Sequence, residues 1–201
     1  MKTMQLPKMS TVKPRAIHGL IDASDNCPNL LQKKFSPSAP NQVWVSDITY
    51  IRVGGRWGYV CVIIDLFARV LIACKSSDKP DTELVISALE KAYVNRKKPS
   101  KVLFHSDRGC QYTALKLRKL IDKLNFIQSF SAKAHPYDNA VAESFFKFLK
   151  LEETNRKTYH SLKELNLSLF EYAHFYNNLR PHSFNEGLTP NAREVAFYDE
   201  N

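Results

Sequence analysis

Three acidic residues stand out in this chain of 201 residues, because the setting of each would suit a metal ligand. Asp47 lies in the largely apolar segment VWVSDITYIRV, where an unpaired buried charge is costly. Asp107 directly follows the apolar segment KVLFHS. Open α/β sheets bind ligands at the carboxyl ends of their strands, so this position suits a metal. Both residues therefore need a partner or a chemical task.

Glu143 is the third candidate, and it shares a predicted helix with two lysines. Lys147 and Lys150 follow it at i+4 and i+7, so all three side chains project from one face. Transfer of polynucleotide strands uses carboxylates that hold two divalent ions roughly 3.5 to 4 Å apart. Mg²⁺ prefers oxygen ligands and keeps several waters, so three carboxylates suffice. We therefore predict a site for two Mg²⁺ ions, with Mn²⁺ able to substitute, formed by Asp47, Asp107 and Glu143.

Each acidic residue taken alone also has a simpler interpretation. Asp47 can bond only to its strand neighbours, and the sequence Asp107-Arg108-Gly109 is also typical of a turn. Glu143 with Lys147 is compatible with a surface ion pair worth roughly 0.2 to 0.5 kcal/mol. The combination and spacing of the three residues favour the metal site.

The composition favours a polyanionic partner. Lys and Arg number 29 against 20 Asp and Glu, which gives a net charge of +9 and a pI near 9.4. No segment approaches the roughly 18 apolar residues of a membrane span, and the first residues lack the apolar core of a secretory signal. We expect a cytoplasmic protein with no membrane partner, in which four scattered cysteines are thiols: Cys27, Cys61, Cys74 and Cys110.

The elements that must position the acidic residues begin after a basic, extended N-terminal segment at residues 1–35. The remaining residues, 36–199, are predicted to form the core with C-terminal helices. VWVSDITYIRV and WGYVCVIIDLF flank Gly54-Gly55 and so predict a β-hairpin. The segment VLIACKSS predicts a third strand, which completes an antiparallel meander.

Helices and strands alternate after the meander. Apolar spacing predicts a helix opened by Pro80-Asp81-Thr82, a strand at 101–107, a helix at 112–124 and a short strand within 126–137. Asp138 or Asn139 is expected to cap a helix that runs to about Glu153, and further helices follow at 161–178 and after Thr189-Pro190. This order predicts an α/β protein of RNase H-like fold, with a five-stranded mixed sheet of three antiparallel and then two parallel strands.

Five blocks of sequence resemble a known family, in order along the chain. WVSDITYI, VCVIIDLFAR, HSDRGCQYT, PYDNAVAESFFKFLK and FYNNLRPHSFNEGLTP are similar to the integrase-type catalytic core of insertion-sequence transposases of the IS-three family, the OrfB product. Between Asp107 and Glu143 lie 35 residues, which is the D,D-35-E spacing of that family and of retroviral integrases. The resemblance covers about residues 28–197.

The resemblance implies that Asp47, Asp107 and Glu143 are the catalytic, metal-binding residues of a transposase. Such an enzyme cuts double-stranded DNA at transposon ends and transfers the freed 3′-OH strand to target DNA, as a homo-oligomer associated with the nucleoid. Two alternatives remain open at this point. One is an RNase H-like nuclease that uses water as the nucleophile, and the other is a truncated relic that only binds DNA.

Six further residues match motifs of the family and are predicted to contact DNA. Simpler structural roles are the alternatives to DNA contact. Lys147 and Lys150 occupy positions where integrases of this type contact the DNA end. Packing is the alternative for Gln111 and Tyr112, helix capping for Asn139, and a structural role for Arg180. These positions are Lys147, Lys150, Gln111, Tyr112, Asn139 and Arg180.

Three other features complete the comparison with the family. Asp65 is expected to pair with Arg69 rather than to bind metal. Ala132 and Ala134 replace residues usual before the PYDNA block, which bears on loop flexibility or DNA contact. Full-length relatives carry a helix-turn-helix region ahead of the core, so recognition of terminal repeats is expected to depend on such a segment or on a partner from an upstream reading frame.

Overall fold

A five-stranded mixed sheet forms the centre of the computed structural model, which describes residues 27–132 and 136–200. The strands lie in the order β3-β2-β1-β4-β5. The first three pair antiparallel and the last two join β1 in parallel, which confirms the predicted sheet. Their bounds are β1 Val43–Val53, β2 Arg56–Asp65, β3 Leu71–Ser77, β4 Leu103–Ser106 and β5 Ile127–Phe130.

The hairpin predicted at Gly54-Gly55 is present. Both glycines have positive φ, 54° and 78°, which two-residue hairpin turns favour and side chains with a Cβ rarely adopt. β1 and β2 then pair without interruption from Val53 opposite Arg56 to Trp44 opposite Asp65. A long, regular β1 results, and it carries Asp47.

Helices cover both faces of the sheet. Each face of the sheet packs in its own hydrophobic core, and alternating side chains of β1 point into one core or the other. Trp44 packs beside α1–α3, and Val45 packs beside α4 and α5. The first helix begins at Asp81, whose carboxylate accepts the amide of Leu84 at 3.1 Å as a cap. The bounds are α1 Thr82–Asn95, α2 Cys110–Thr113, α3 Leu115–Lys123, α4 Ala140–Leu149, α5 Leu162–Asn178 and α6 Pro190–Glu200.

The predicted helix at 112–124 is two helices, so that prediction was wrong in its continuity. Ala114 is extended, with φ −60° and ψ 136°, and separates α2 from α3. Tyr112 and Leu117 are both buried in the same core. Residues five apart on one helix point about 140° away from each other, so the break lets both side chains reach that core.

Residues 27–35 contain no helix or strand, yet they pack on the core. Leu31 is 2% exposed, and the amides of Leu30 and Leu31 donate to the hydroxyl of Ser129 at 2.9 and 3.2 Å. Residues 1–26 of the predicted N-terminal segment lie outside the described residues, and the boundary near residue 35 stays a prediction. No helix in the described ranges has the length and apolar character to cross a membrane.

Asp65 pairs with Arg96 and not with Arg69, so that prediction was wrong. The Asp65 carboxylate is fully buried and lies 3.3 Å from the Arg96 guanidinium, which also binds Glu194 of α6. Burial raises the pKa of Asp65, and Arg96 opposes that effect. Arg69 instead donates to the carbonyls of Phe35 and Leu66.

Candidate active site

The register of two parallel strands brings Asp47 beside Asp107. Val43 pairs with Leu103 and Val45 with His105. Asp47 and Asp107 each follow the last of these pairs by two residues, and the charge of Asp107 acts on Asp47. The end of β4 thus faces the middle of β1 at the two predicted residues.

Helix α4 brings Glu143 to the same region. Ala142, Phe145 and Phe146 are buried against the core that contains Val45, which leaves Glu143 exposed on the opposite side of the first turns. The start of the helix is held by Asn139, whose side-chain amide donates to the carbonyl of Ser46 at 3.1 Å. That bond ties the helix to the residue directly before Asp47.

The electrostatics of Asp47 show that the three acidic residues share one environment. The pKa of Asp47 is raised to about 7, mainly by burial and also by the negative charges of Asp107 and Glu143. The amide of Ile48, which donates to Asp47 at 2.7 Å, and the charge of Lys150 oppose these effects. The carboxylates therefore repel one another, and a cation between them would relieve that repulsion.

Gly109 allows the backbone to close around Asp107. Its amide donates to the Asp107 carboxylate at 2.9 Å. A Cβ at this position would lie 2.7 Å from Oε1 of Gln111 and 3.0 Å from Oδ1 of Asp107, so the Gln111 side chain would have to shift and the Asp107 carboxylate would have to give slightly. Burial raises the pKa of Asp107 while the Gly109 amide lowers it, so this hydrogen bond favours the charged carboxylate and orients it.

The donor chemistry of this region suits a hard divalent cation, since the three side chains offer only carboxylate oxygens. Within residues 27–132 and 136–200, however, no group of three or more His, Cys, Asp or Glu side chains is arranged closely enough to hold a metal ion as it stands. Assignment of Asp47, Asp107 and Glu143 as metal ligands therefore remains a proposal, supported by their shared electrostatics.

Asn139 is the N-cap residue of α4, as predicted, but its side chain makes no capping hydrogen bond. The Asp138 carboxylate accepts the amide of Ala132 and the side-chain amide of Asn29, each at 2.8 Å. Asp138 is 2% exposed, and these two bonds satisfy it. Asp138 thus links the end of β5 to the N-terminal segment. The Asn139 side chain binds the carbonyl of Ser46 instead.

Gln111 and Tyr112 lie where packing accounts for their contacts. The side-chain amide of Gln111 donates to the carbonyl of Pro80 at 2.8 Å. Tyr112 is 1% exposed, and its hydroxyl shares a 2.9 Å hydrogen bond with that of Ser46. Their predicted DNA contacts stay predictions, and the burial of Tyr112 favours its packing alternative.

Lys147 lies in α4 and Lys150 directly follows it. Lys147 is exposed. Lys150 is half-buried, with its ammonium 4.9 Å from the centre of the Tyr50 ring, and its charge acts on Asp47. Both positions are compatible with contact to a phosphate near the carboxylates.

Arg180 is far along the chain from these residues, and its guanidinium is engaged by Glu152. The Arg180 Nε lies 3.0 Å from both Glu152 oxygens and its Nη2 lies 2.9 Å from one of them. The guanidinium also stacks 4.2 Å over the Phe148 ring, and the Tyr172 hydroxyl donates to the same carboxylate at 2.8 Å. These contacts favour the structural role.

Arg180→Ala is expected to lower the free energy of unfolding by about 1 kcal/mol, because a half-buried bidentate ion pair and a cation–π contact are lost. Chemical denaturation of Arg180→Ala, Glu152→Gln and the double variant would measure the coupling. Affinity for duplex DNA at fixed salt should not change. Weaker DNA binding with unchanged stability would instead assign Arg180 to the DNA interface.

Comparisons with known proteins identify the family to which the chain is related. Two family models, both described as an integrase core domain, match residues 37–136 and 125–190. Transposase InsF for insertion sequence IS3A, from Escherichia coli strain K12, is 39% identical over 184 residues, which cover 91% of this chain and 62% of that transposase.

Two solved structures share the fold at 17% identity. An HTLV-2 integrase catalytic core domain in complex with magnesium, in a trimeric form, has a TM-score of 0.63 and covers 78% of this chain and 98% of that one. A simian T-cell lymphotropic virus intasome in complex with PP2A regulatory subunit B56 gamma has a TM-score of 0.62, with coverages of 73% and 52%.

The mixed sheet and these neighbours define an RNase H-like fold, as the element order predicted. The chain belongs to the integrase core domain family and is similar to transposases of the IS3 type. It spans 62% of the length of the InsF transposase that it matches.

Two residues that sequence reasoning missed support the candidate site. The Ser46 carbonyl accepts a hydrogen bond from the side-chain amide of Asn139, and the Ser46 hydroxyl shares a hydrogen bond with that of Tyr112. Asn29 binds Asp138 from the N-terminal segment. A small polar residue before Asp47 in an apolar strand was the available signal for Ser46, whereas nothing local to Asn29 indicated its partner.

Proposed function

We propose that this chain is the catalytic core of a transposase that cleaves DNA at insertion-sequence ends and transfers the freed strand. The observation that carries the proposal is the raised pKa of Asp47, about 7, to which burial, Asp107 and Glu143 all contribute. Acidic residues from β1, the end of β4 and α4 would together form the metal site. Membership of the integrase core domain family supports the same reaction class.

Each residue has a separate task in the proposed reaction. Asp47, Asp107 and Glu143 would hold two Mg²⁺ ions, or Mn²⁺ in their place. When bound, such ions activate an attacking oxygen and stabilise a leaving one. Lys147 and Lys150, on the same side of α4 as Glu143, would neutralise phosphates of the DNA end and so fix its position. No covalent bond between protein and DNA is required.

The proposed partners follow from joining two DNA ends. Double-stranded DNA would be bound at transposon ends and at the target, consistent with the net charge of +9. A homo-oligomer would hold both ends together, and a helix-turn-helix segment or upstream-frame partner would select the terminal repeats. Such a protein would be found with the nucleoid.

The test is the nature of the products. Protein, a labelled end duplex and Mg²⁺ or Mn²⁺ should yield joined or branched strands on a denaturing gel, together with 3′ cleavage. Nicks without any joined strand would identify a nuclease, and binding without cleavage would identify a DNA-binding relic. Either outcome would contradict the proposed strand transfer.

A further inference from the structure

A row of aromatic and basic side chains covers the outer part of the β1–β2 hairpin. Tyr50 pairs across the strands with Tyr59, and Arg52 pairs with Trp57, so all four lie on one face of the sheet. Arg52 is exposed and the three aromatic residues are half-buried. We name these four residues the hairpin row.

The members of the hairpin row contact one another in sequence. The Arg52 guanidinium lies 3.8 Å above the centre of the Trp57 ring. Tyr50 meets Trp57 edge to face, with ring centres 4.9 Å apart and planes at 82°. Such pairs hold the rings and the guanidinium in defined orientations.

Lys150 connects the hairpin row to the candidate active site. Its ammonium lies 4.9 Å from the centre of the Tyr50 ring, and Lys150 directly follows α4, which carries Glu143. Arg52 lies five residues beyond Asp47 on β1, about 17 Å along the strand, and this odd separation places the two side chains on opposite faces of the sheet. The row therefore approaches the carboxylates through Tyr50 and Lys150, along the part of β1 that does not pair with β4.

The charge of this segment also suits nucleic acid. Residues 50–59, YIRVGGRWGY, contain two arginines and no acidic residue. Aromatic rings and arginine planes beside a basic surface are the usual means of binding unpaired bases, because every base has a face that can stack. Duplex DNA keeps its bases stacked internally and cannot use such rings in this way.

We propose that the hairpin row binds unpaired nucleotides of the DNA strand next to the reacting end. The proposal rests on the proposed function, since it places that strand beside Asp47 and Glu143. Trp57 and Arg52 stack with bases, and Tyr50 with Lys150 leads the strand toward the carboxylates. The row thus favours DNA ends that are frayed over ends that are fully paired.

Tryptophan fluorescence tests this proposal directly, because the chain has only two tryptophans and Trp44 is fully buried. Titration of the full chain with a single-stranded oligonucleotide should quench Trp57, whereas a blunt duplex at the same salt should quench it little. No quenching by the single strand, or equal quenching by the duplex, would overturn the proposal.

Variants assign the affinity to the row. Trp57→Ala is expected to weaken single-strand binding by about 5- to 100-fold with little change for blunt duplex. Tyr198→Ala, which removes an exposed aromatic ring of α6, is the matched control and should leave both affinities unchanged. Trp57→Phe keeps a ring for stacking, so it should retain most of the affinity and lose the fluorescence response. Equal weakening by Trp57→Ala and Tyr198→Ala would contradict the assignment.

The joining assay separates this proposal from the proposed function. Asp107→Asn should abolish joining while leaving the quenching by single strands intact. If Asp107→Asn loses joining but single strands do not quench the wild type, only the proposal for the hairpin row is refuted. If single strands quench the wild type and Asp107→Asn still joins DNA normally, the catalytic assignment is refuted and the proposal for the hairpin row stands.

Discussion

Asp107→Asn is expected to reduce DNA joining by on the order of a thousandfold or more. Asparagine has the shape of aspartate and keeps an oxygen for the Gly109 amide, which donates to Asp107 at 2.9 Å. Only the negative charge is lost, and several kcal/mol of cation binding and transition-state stabilisation go with it, each 1.36 kcal/mol being worth about tenfold in rate. Joined products of a labelled end duplex, measured in Mg²⁺ and in Mn²⁺, give the rate.

The controls separate chemistry from folding. Glu143→Gln should lose joining to a similar extent, although its side chain is exposed and its loss should not affect folding. Asp122→Asn, an exposed acidic residue of α3, should join DNA at the wild-type rate. Joining by Asp107→Asn at the rate of the Asp122→Asn control would refute the assignment of the acidic residues.

Asp47→Asn is expected to stabilise the metal-free protein at pH 8 while it abolishes joining. The pKa of Asp47 is about 7 in the folded chain against 3.8 for the ordinary residue, with burial as the main cause. Between these values the folded state retains a proton that the unfolded state releases, so this residue's contribution to stability falls as pH rises from about 4 to 7. Asparagine cannot ionise and escapes that loss, which is on the order of 1 to 4 kcal/mol.

Chemical unfolding in EDTA at pH 5 and pH 8 measures the effect. The stability gain of Asp47→Asn over wild type should be larger at pH 8 than at pH 5, and Mg²⁺ at pH 8 should reduce it by stabilising only the wild type. Asp122→Asn should show neither trend. A gain that is equal at both pH values would show that folding does not raise the pKa of Asp47.

The sequence by itself determined much of the architecture, because the signals involved are local. Gly54 and Gly55 predicted the hairpin, since positive φ is easy only for glycine. Alternating and helical apolar spacing predicted the element order, which is confirmed. The assignment of Asp47, Asp107 and Glu143 came from strand context and from the spacing of 35 residues, and the structure then set them in one electrostatic environment.

Only the tertiary structure decided which side chains satisfy one another. Asp65 had a nearby arginine in sequence, but the fold supplies Arg96, 31 residues away. Asn139 could have capped its own helix, yet it bonds to the carbonyl of Ser46, 93 residues away. Buried polar groups must find partners, and those partners are selected by how strands and helices pack, which local sequence does not specify.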